Sequence, residues 1–257
     1  MAVVAPVVRF GASRVSWSLV AAAIAVQIMY PLMPEPWRTS VTVTSVIVFF
    51  MASVADVARL HGRSGAVLLI AIAGGGGLFA EAVGVATGFP FGDYAYTGTL
   101  GPELLGVPLV VPLAWVMMAW PALVVARTLA RRGVAVVLIG AFALTAWDLF
   151  LDPQMVAAGH WFWFDPDPGL PLIPGVPLTN YAGWLLVSLV VLGLLNATLR
   201  RGDGPSGPAA TLYLWVYFSS VMAHAVFFGL PGSAVTGGVI MGAVAIPFAV
   251  TLWRRRG

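Results

Sequence analysis

Apolar stretches long enough to cross a bilayer recur along the whole chain, and that repetition limits the possible folds more than any motif does. A helix needs about 20 consecutive apolar residues to span the hydrocarbon core. Windows of this kind fall near 15–33, 40–60, 65–87, 106–129, 133–151, 180–199, 209–230 and 234–253 of the 257 residues. Because lipid offers no partner for a bare backbone, a spanning segment of this length reads as a helix. The expectation is an all-α fold, a polytopic transmembrane helical bundle of about eight spans forming a single integral-membrane domain over 1–257. With 60% hydrophobic and 9% charged residues, the chain leaves no stretch for a soluble domain. The longest non-spanning segments are 88–105 and 152–179.

The few charges are sorted by sign. All thirteen basic residues are arginines. Arg9 and Arg14 precede the first span, Arg59 and Arg63 lie between the second and third, and Arg127, Arg131 and Arg132 between the fourth and fifth. Arg200 and Arg201 lie between the sixth and seventh, and Arg254 to Arg256 follow the last, so that Arg38 alone falls on the other side. Positive residues stay cytoplasmic, which places both termini and the 200–208 linker there in a multi-pass protein of the cell membrane. The first span has an arginine-bearing front but is longer than a signal-peptide core and lacks a small-residue cleavage site, so it reads as a retained anchor. The arginines are topology signals, and no nucleic-acid partner is expected.

Absences remove several chemistries. Without cysteine there is no disulfide or thiolate. Without lysine there is no Schiff base to a retinal-like cofactor. His61, His160 and His224 are too few for the histidine clusters of membrane di-iron oxygenases. No metal site and no cofactor are expected.

Of the ten acids, Asp56 and Asp203 fall on the arginine side, and Glu35, Glu103, Asp165 and Asp167 read as solvated loop charges. Glu81 and Asp148 lie inside predicted spans, where an ionisable side chain faces the bundle interior or a cavity. Gly77, Glu81, Gly84 and Gly88 follow helical spacing, a stripe suited either to close helix packing or to a groove for a thin, rigid ligand. Asp148 and Asp152 are four apart on one face, with Pro153 expected to end their helix. Trp147, Trp161 and Trp163 surround them in sequence. Each is compatible with an interfacial belt, yet gathered around carboxyls their faces can stabilise a cation. His224 reads as a hydrogen-bonded packing residue or a contact to substrate, and Pro108, Pro112 and Pro121 should kink the fourth span.

Two blocks carry a resemblance. "PFGDYAYTGTLGPELLGVPLVVPLAW" at 90–115 and "AWDLFLDPQMVAAGHWFW" at 146–163 resemble the bacterial and archaeal carotenoid hydratase family, integral membrane proteins such as the bisanhydrobacterioruberin and carotenoid 1',2'-hydratases. The order of the blocks and the hydrophobic organisation agree along nearly the whole chain. The resemblance implies isoprenoid chemistry in carotenoid biosynthesis: addition of water across the terminal C=C of an acyclic end group to give a tertiary alcohol, with no redox cofactor. The pattern carries over onto Phe91, Gly92, Tyr94, Tyr96, Leu100, Gly101, Pro102, Gly106, Val107 and Pro108, and onto Trp147, Asp148, Asp152, Pro153, Met155, Gly159 and Trp161.

Hydration of an unactivated alkene needs a strong proton donor, tolerance of a tertiary carbocation and a delivered water. A carboxylic acid in an apolar site keeps its proton. The expected catalytic residues are Asp148 as donor, with Asp152 or Glu81 orienting and deprotonating the water, though acid and base are interchangeable on sequence grounds. Tyr94, Tyr96, Trp115, Trp147, Trp161 and His224 are the expected substrate-binding residues. Partners are then a carotenoid dissolved in the bilayer, membrane lipids and other enzymes of the same pathway. Two other readings stay open: a lycopene-type cyclase, which begins with the same protonation, and a non-enzymatic lipid or carotenoid carrier. A prenyltransferase fits less well, because its diphosphate would need basic partners beside the acids.

Overall fold

The computed structural model describes residues 10–202 and 205–255. Arg9, Asp203 and Arg256, assigned above to the cytoplasmic side, lie outside the described residues. The helices are α1 Phe10–Met29, α2 Glu35–Leu69, α3 Gly76–Thr87, α4 Val110–Leu129, α5 Gly133–Ala157, α6 Leu178–Thr198, α7 Gly207–Val226 and α8 Pro231–Arg254. Among the described residues seven helical runs are long and apolar enough to cross a membrane, against the eight spans expected. The difference lies between the second and third predicted spans. A π-helical turn, Ile70–Gly75, joins α2 to α3, so that one run extends over 53 residues, Glu35–Thr87.

Drawn straight, such a run would measure about 80 Å at 1.5 Å per residue. It is not straight. Gly62 interrupts it with φ 72° and ψ −176°, a conformation that glycine adopts without the clash a Cβ would bring. Thr42 and Val46 near its start and Glu81 near its end line the same cavity. The run therefore doubles back, with one limb on each side of Gly62.

Helix α4 occupies the centre, where every residue from Trp115 to Ala126 is buried. A helix that is apolar on all sides belongs inside a bundle. It packs against α2, α5 and α7, while α1 lies on α2, α6 on α5, and α8 on α7 and α5.

Proline acts differently from the expectation at two places. Pro153 does not end α5, which continues to Ala157. A proline inside a helix frees the carbonyl four residues earlier, and a neighbouring helix satisfies it here: Ser233 of α8 donates its hydroxyl to the Leu149 carbonyl. Pro121 in α4 frees the Met117 carbonyl in the same way, and the Ser53 hydroxyl of α2 donates to it at 2.7 Å. Pro108 and Pro112 lie outside the interior of α4, the first in a short strand before it and the second in its opening turn.

The two long connections are not pure loop. Strand β1 Tyr94–Tyr96 pairs antiparallel with β4 Trp161–Trp163, β2 Glu103–Leu104 with β3 Val107–Pro108, and β5 Gly169–Leu170 with β6 Ile173–Pro177. The first pairing stitches the two connections together over the end of the bundle. At the opposite end Arg59, Arg127, Arg131, Arg200, Arg201 and Arg255 line one cleft. The segregation of charge read from the sequence is thus present in three dimensions.

Candidate active site

Alternation along a strand sends every second side chain to one face. In the β1–β4 pair Tyr94 lies opposite Trp163 and Tyr96 opposite Trp161, so four aromatic rings project from one face of the ribbon toward the bundle. Phe162 points the other way and is exposed. The rings meet pairwise, Tyr94 against Trp163 and Tyr96 against Trp161, each with 5.7 Å between centroids. The Trp163 indole is fixed by its N–H donating to the Phe91 carbonyl at 2.9 Å. His160, just before β4, is held by Thr99, whose Oγ1 lies 2.8 Å from its Nδ1, and burial pushes its imidazole below the usual histidine range.

Beneath these rings lies Glu81. Its Oε2 accepts from the Tyr94 hydroxyl at 2.6 Å and the Tyr96 hydroxyl at 2.9 Å, and its Oε1 accepts from the Trp115 indole at 3.1 Å. Burial and the adjacent Glu81 carboxyl push both phenols well above the usual tyrosine range, so they remain protonated donors. Trp115 in turn stacks on Trp184 of α6, centroids 4.1 Å apart and planes 12° apart.

The glycine stripe makes this packing possible. A Cβ on Gly77 would come within 2.5 Å of Trp115, and one on Gly84 within 2.9 Å of Phe91 and Tyr94. Of the two uses read for the stripe, the structure contains the first. Aromatic side chains fill it, and Gly88 caps α3 in a left-handed conformation.

The second acidic group comes from α5. Asp148 and Asp152 share a face, as the spacing required, and Asn180 in the first turn of α6 joins them. The Asn180 amide donates to Asp148 Oδ2 at 2.8 Å and also to Asp152 Oδ2. Trp161 donates its indole N–H to Asp152 Oδ1 at 3.1 Å. The two carboxyl groups are thus brought together at one amide. The other oxygen of Asp148, Oδ1, is buried with no partner.

Between Glu81 and Asp152 lies a cavity of about 80 Å³. One water needs roughly 10–15 Å³ of such space, so there is room for a water beside a small apolar group. Glu81, Asp152 and Asn180 line it together with Phe91, Tyr94, Tyr96, Trp115, Trp161, Trp163 and Trp184, and among the described residues no cationic side chain lines it. Asp148, fully buried, stands one helical turn behind Asp152 and is not part of the wall.

Six of the nine expected catalytic and substrate-binding residues thus meet at one cavity: Glu81, Asp152, Tyr94, Tyr96, Trp115 and Trp161. Trp147 lies to one side, edge-on to Trp184 at 5.9 Å and lining a neighbouring groove. His224 is remote from the cavity, buried between Phe150 and Phe228 with neither ring nitrogen hydrogen-bonded, so the hydrogen bond expected of it is missing. Glu35, Glu103, Asp165 and Asp167 are exposed, as solvated loop charges should be. Sequence reasoning overlooked Asn180 and Trp184. The signal was present in "LTNYAGW", 178–184, where an amide and an indole four residues apart share a face at the mouth of a span.

Comparison with known proteins adds a family to this geometry. The chain is 40% identical over 131 residues to bisanhydrobacterioruberin hydratase of Haloarcula japonica. That match covers 47% of this chain and 43% of the relative, so less than half of the archaeal protein's length is represented. No solved structure matches the chain. The model of the family described as carotenoid biosynthesis protein matches residues 39–207, a region containing every carboxyl, phenol and indole of the cavity. With most of its length matched, this chain belongs to the carotenoid biosynthesis protein family.

Proposed function

We propose that the protein is a cofactor-independent hydratase that adds water across the terminal C=C of an acyclic carotenoid end group. The observation that carries this reading is the cavity itself, where two carboxyls from different helices face one space within aromatic walls and, among the described residues, no cation lines it. Those are the requirements of acid-catalysed alkene hydration: a proton to give, a base for the incoming water, and π faces for the positive charge between the two events. The archaeal relative, named for a hydratase activity, supports the same chemistry.

The hydrogen bonds suggest how the roles divide. Asp148 and Asp152 share one amide donor, and two carboxyls crowded at one buried site do not both ionise, so one of the pair keeps its proton. Of the pair, Asp152 faces the cavity, so it delivers the proton, with Asp148 as the reservoir behind it. Glu81 receives three hydrogen bonds on its two oxygens, the pattern a carboxylate anion accepts, and acts as the base. Asp152 protonates the less substituted alkene carbon, and the π pair forms the new C–H bond. The tertiary cation rests against the tryptophan and tyrosine faces, an interaction of about 2 kcal/mol or more in a desolvated site. A water held by Glu81 attacks the cation and loses its proton to Glu81. Alkene and water thereby become a tertiary alcohol, and transfer of the proton back to Asp152 resets the site.

In this reading both termini and the arginine-lined cleft are cytoplasmic, and the acid cavity lies toward the outer face. Reporter fusions at Gly202 and Leu170 then localise on opposite sides, and localisation on one side rejects the arrangement. The chemistry is tested by expression in a host that accumulates an acyclic carotenoid. The product gains the mass of one water, and in labelled water its new hydroxyl carries the label under anaerobic conditions. An unchanged mass with a cyclised end group would identify a cyclase, an unchanged pigment a carrier, and label from molecular oxygen an oxygenase.

A further inference from the structure

The acid cavity is too small to hold more than an end group, so a long substrate must leave it through a gap in the wall. One such gap lies between α2 and α5. Thr42, Val46, Leu151 and Met155 line the acid cavity on one side and, on the other, a groove of about 360 Å³ bounded by α1, α2, α5 and α7. The groove's rim is apolar and open: Leu32 is 66% exposed and Met222 53% exposed. An apolar rim of this kind within a membrane-spanning bundle faces lipid rather than water. Trp147, Trp215 and Phe228 contribute flat rings to its wall, and Trp215 is locked in place by its N–H donating to Gln27 Oε1 at 2.7 Å.

From this continuity we infer that the groove is the binding site for the rod-like conjugated chain of the substrate. It admits the polyene sideways from the bilayer and passes its end between Thr42 and Val46 on one side and Leu151 and Met155 on the other. The occupant is an extended conjugated isoprenoid, because a stiff apolar rod with one reactive tip fits an open apolar groove that narrows to a small acidic chamber. The assignment of the tip to the acid cavity rests on the hydratase reading. Occupancy of the groove is tested apart from it.

The test is retention of pigment by the intact protein purified in mild detergent from cells that accumulate an acyclic carotenoid, read as visible absorbance per mole of protein. Ser220→Trp and Ala223→Trp place bulk in the groove from α7, away from the acid cavity. Each is checked for a monodisperse elution profile, and the one that passes is read. Wild-type protein retains the polyene, the groove-filled variant loses at least about tenfold of it, and Asp165→Asn, at an exposed position that lines neither cavity, retains as much as wild type. A groove-filled variant that retains pigment like wild type, or a wild-type protein that retains none, overturns the groove. A wild-type protein that holds pigment in the groove without hydrating it overturns the hydratase reading and leaves the groove standing.

Discussion

Two buried acids on the same helical run contrast sharply. Asp56, on the first limb, forms an ion pair with Arg59 at 2.7 Å and accepts from the Trp120 indole at 2.8 Å and from the Ser206 hydroxyl. Glu81, on the second limb, accepts three hydrogen bonds from neutral donors, and among the described residues no basic side chain lines its cavity. Both carboxyls are almost completely buried. One has its charge matched by Arg59, and its hydrogen bonds tie α2, α4 and the residue before α7 together. The other has an unmatched charge and an open space beside it. Burial of an acid in a helical bundle therefore does not by itself mark a reaction centre; on the hydratase reading it is the acid left without a cation and facing a cavity that reacts.

The contrast is broken or sharpened by substitutions on each side. The largest effect is expected at the cavity: Asp152→Asn and Glu81→Gln each lower hydration by about 100-fold or more, the scale of lost general acid or base catalysis, while the protein accumulates in the membrane as before. Product formation per unit of immunodetected protein measures this, and near-normal turnover in both variants would mean that the cavity acids are structural. Asp148→Asn gives a smaller loss than Asp152→Asn if the proton is delivered from the cavity wall. The reverse order would make Asp148 the donor.

On the other side, Arg59→Met leaves the Asp56 carboxylate buried and unpaired. Removing one partner of a buried pair costs about 3–5 kcal/mol, seen as a lower melting temperature and yield, while the molecules that remain folded keep their turnover. Equal loss of stability and turnover would erase the distinction between the two acids. Between these cases stands Gly77→Ala, whose Cβ presses on Trp115. Overpacking of this kind costs about 1–3 kcal/mol, and because Trp115 holds Glu81, turnover falls together with stability. Unchanged turnover would separate the packing stripe from the chemistry.

The smallest effect expected is at His160. Its imidazole resists protonation when folded, whereas the unfolded chain takes up a proton below about pH 6.5. Its contribution to stability is therefore complete above that value and declines as the pH falls below it. A melting curve between neutral and mildly acidic pH shows the decline, and His160→Gln flattens the part that belongs to this residue.

Much of this was legible in the sequence because lipid imposes simple rules. Hydrophobic windows located the helices, and arginines located one end of the bundle. A carboxyl inside a span pointed to Glu81 and Asp148. The strands at "YAY" and "WFW" were not read, because the segments lie in connections between spans, where pairing of two distant segments leaves no local trace. Asp152 and Asp148 have the same face and spacing, and which of them reaches the cavity depends on how α5 sits against α6, a matter of packing. The continuation of α5 past Pro153 was hidden for a related reason: the group that permits it, Ser233, comes from another helix.

That last arrangement makes two distant positions interdependent. Ser233 matters because Pro153 leaves the Leu149 carbonyl without its usual partner. Restoring an N–H with Pro153→Ala gives that carbonyl a partner within its own helix and makes the serine redundant. Ser233→Ala should therefore be harmful in the native background and nearly silent in Pro153→Ala, and the same holds for Ser53 and Pro121. Each proline and its serine form an epistatic pair, able to change together with little loss but costly to change in one order. This constrains the routes by which the helices around the cavity can diverge.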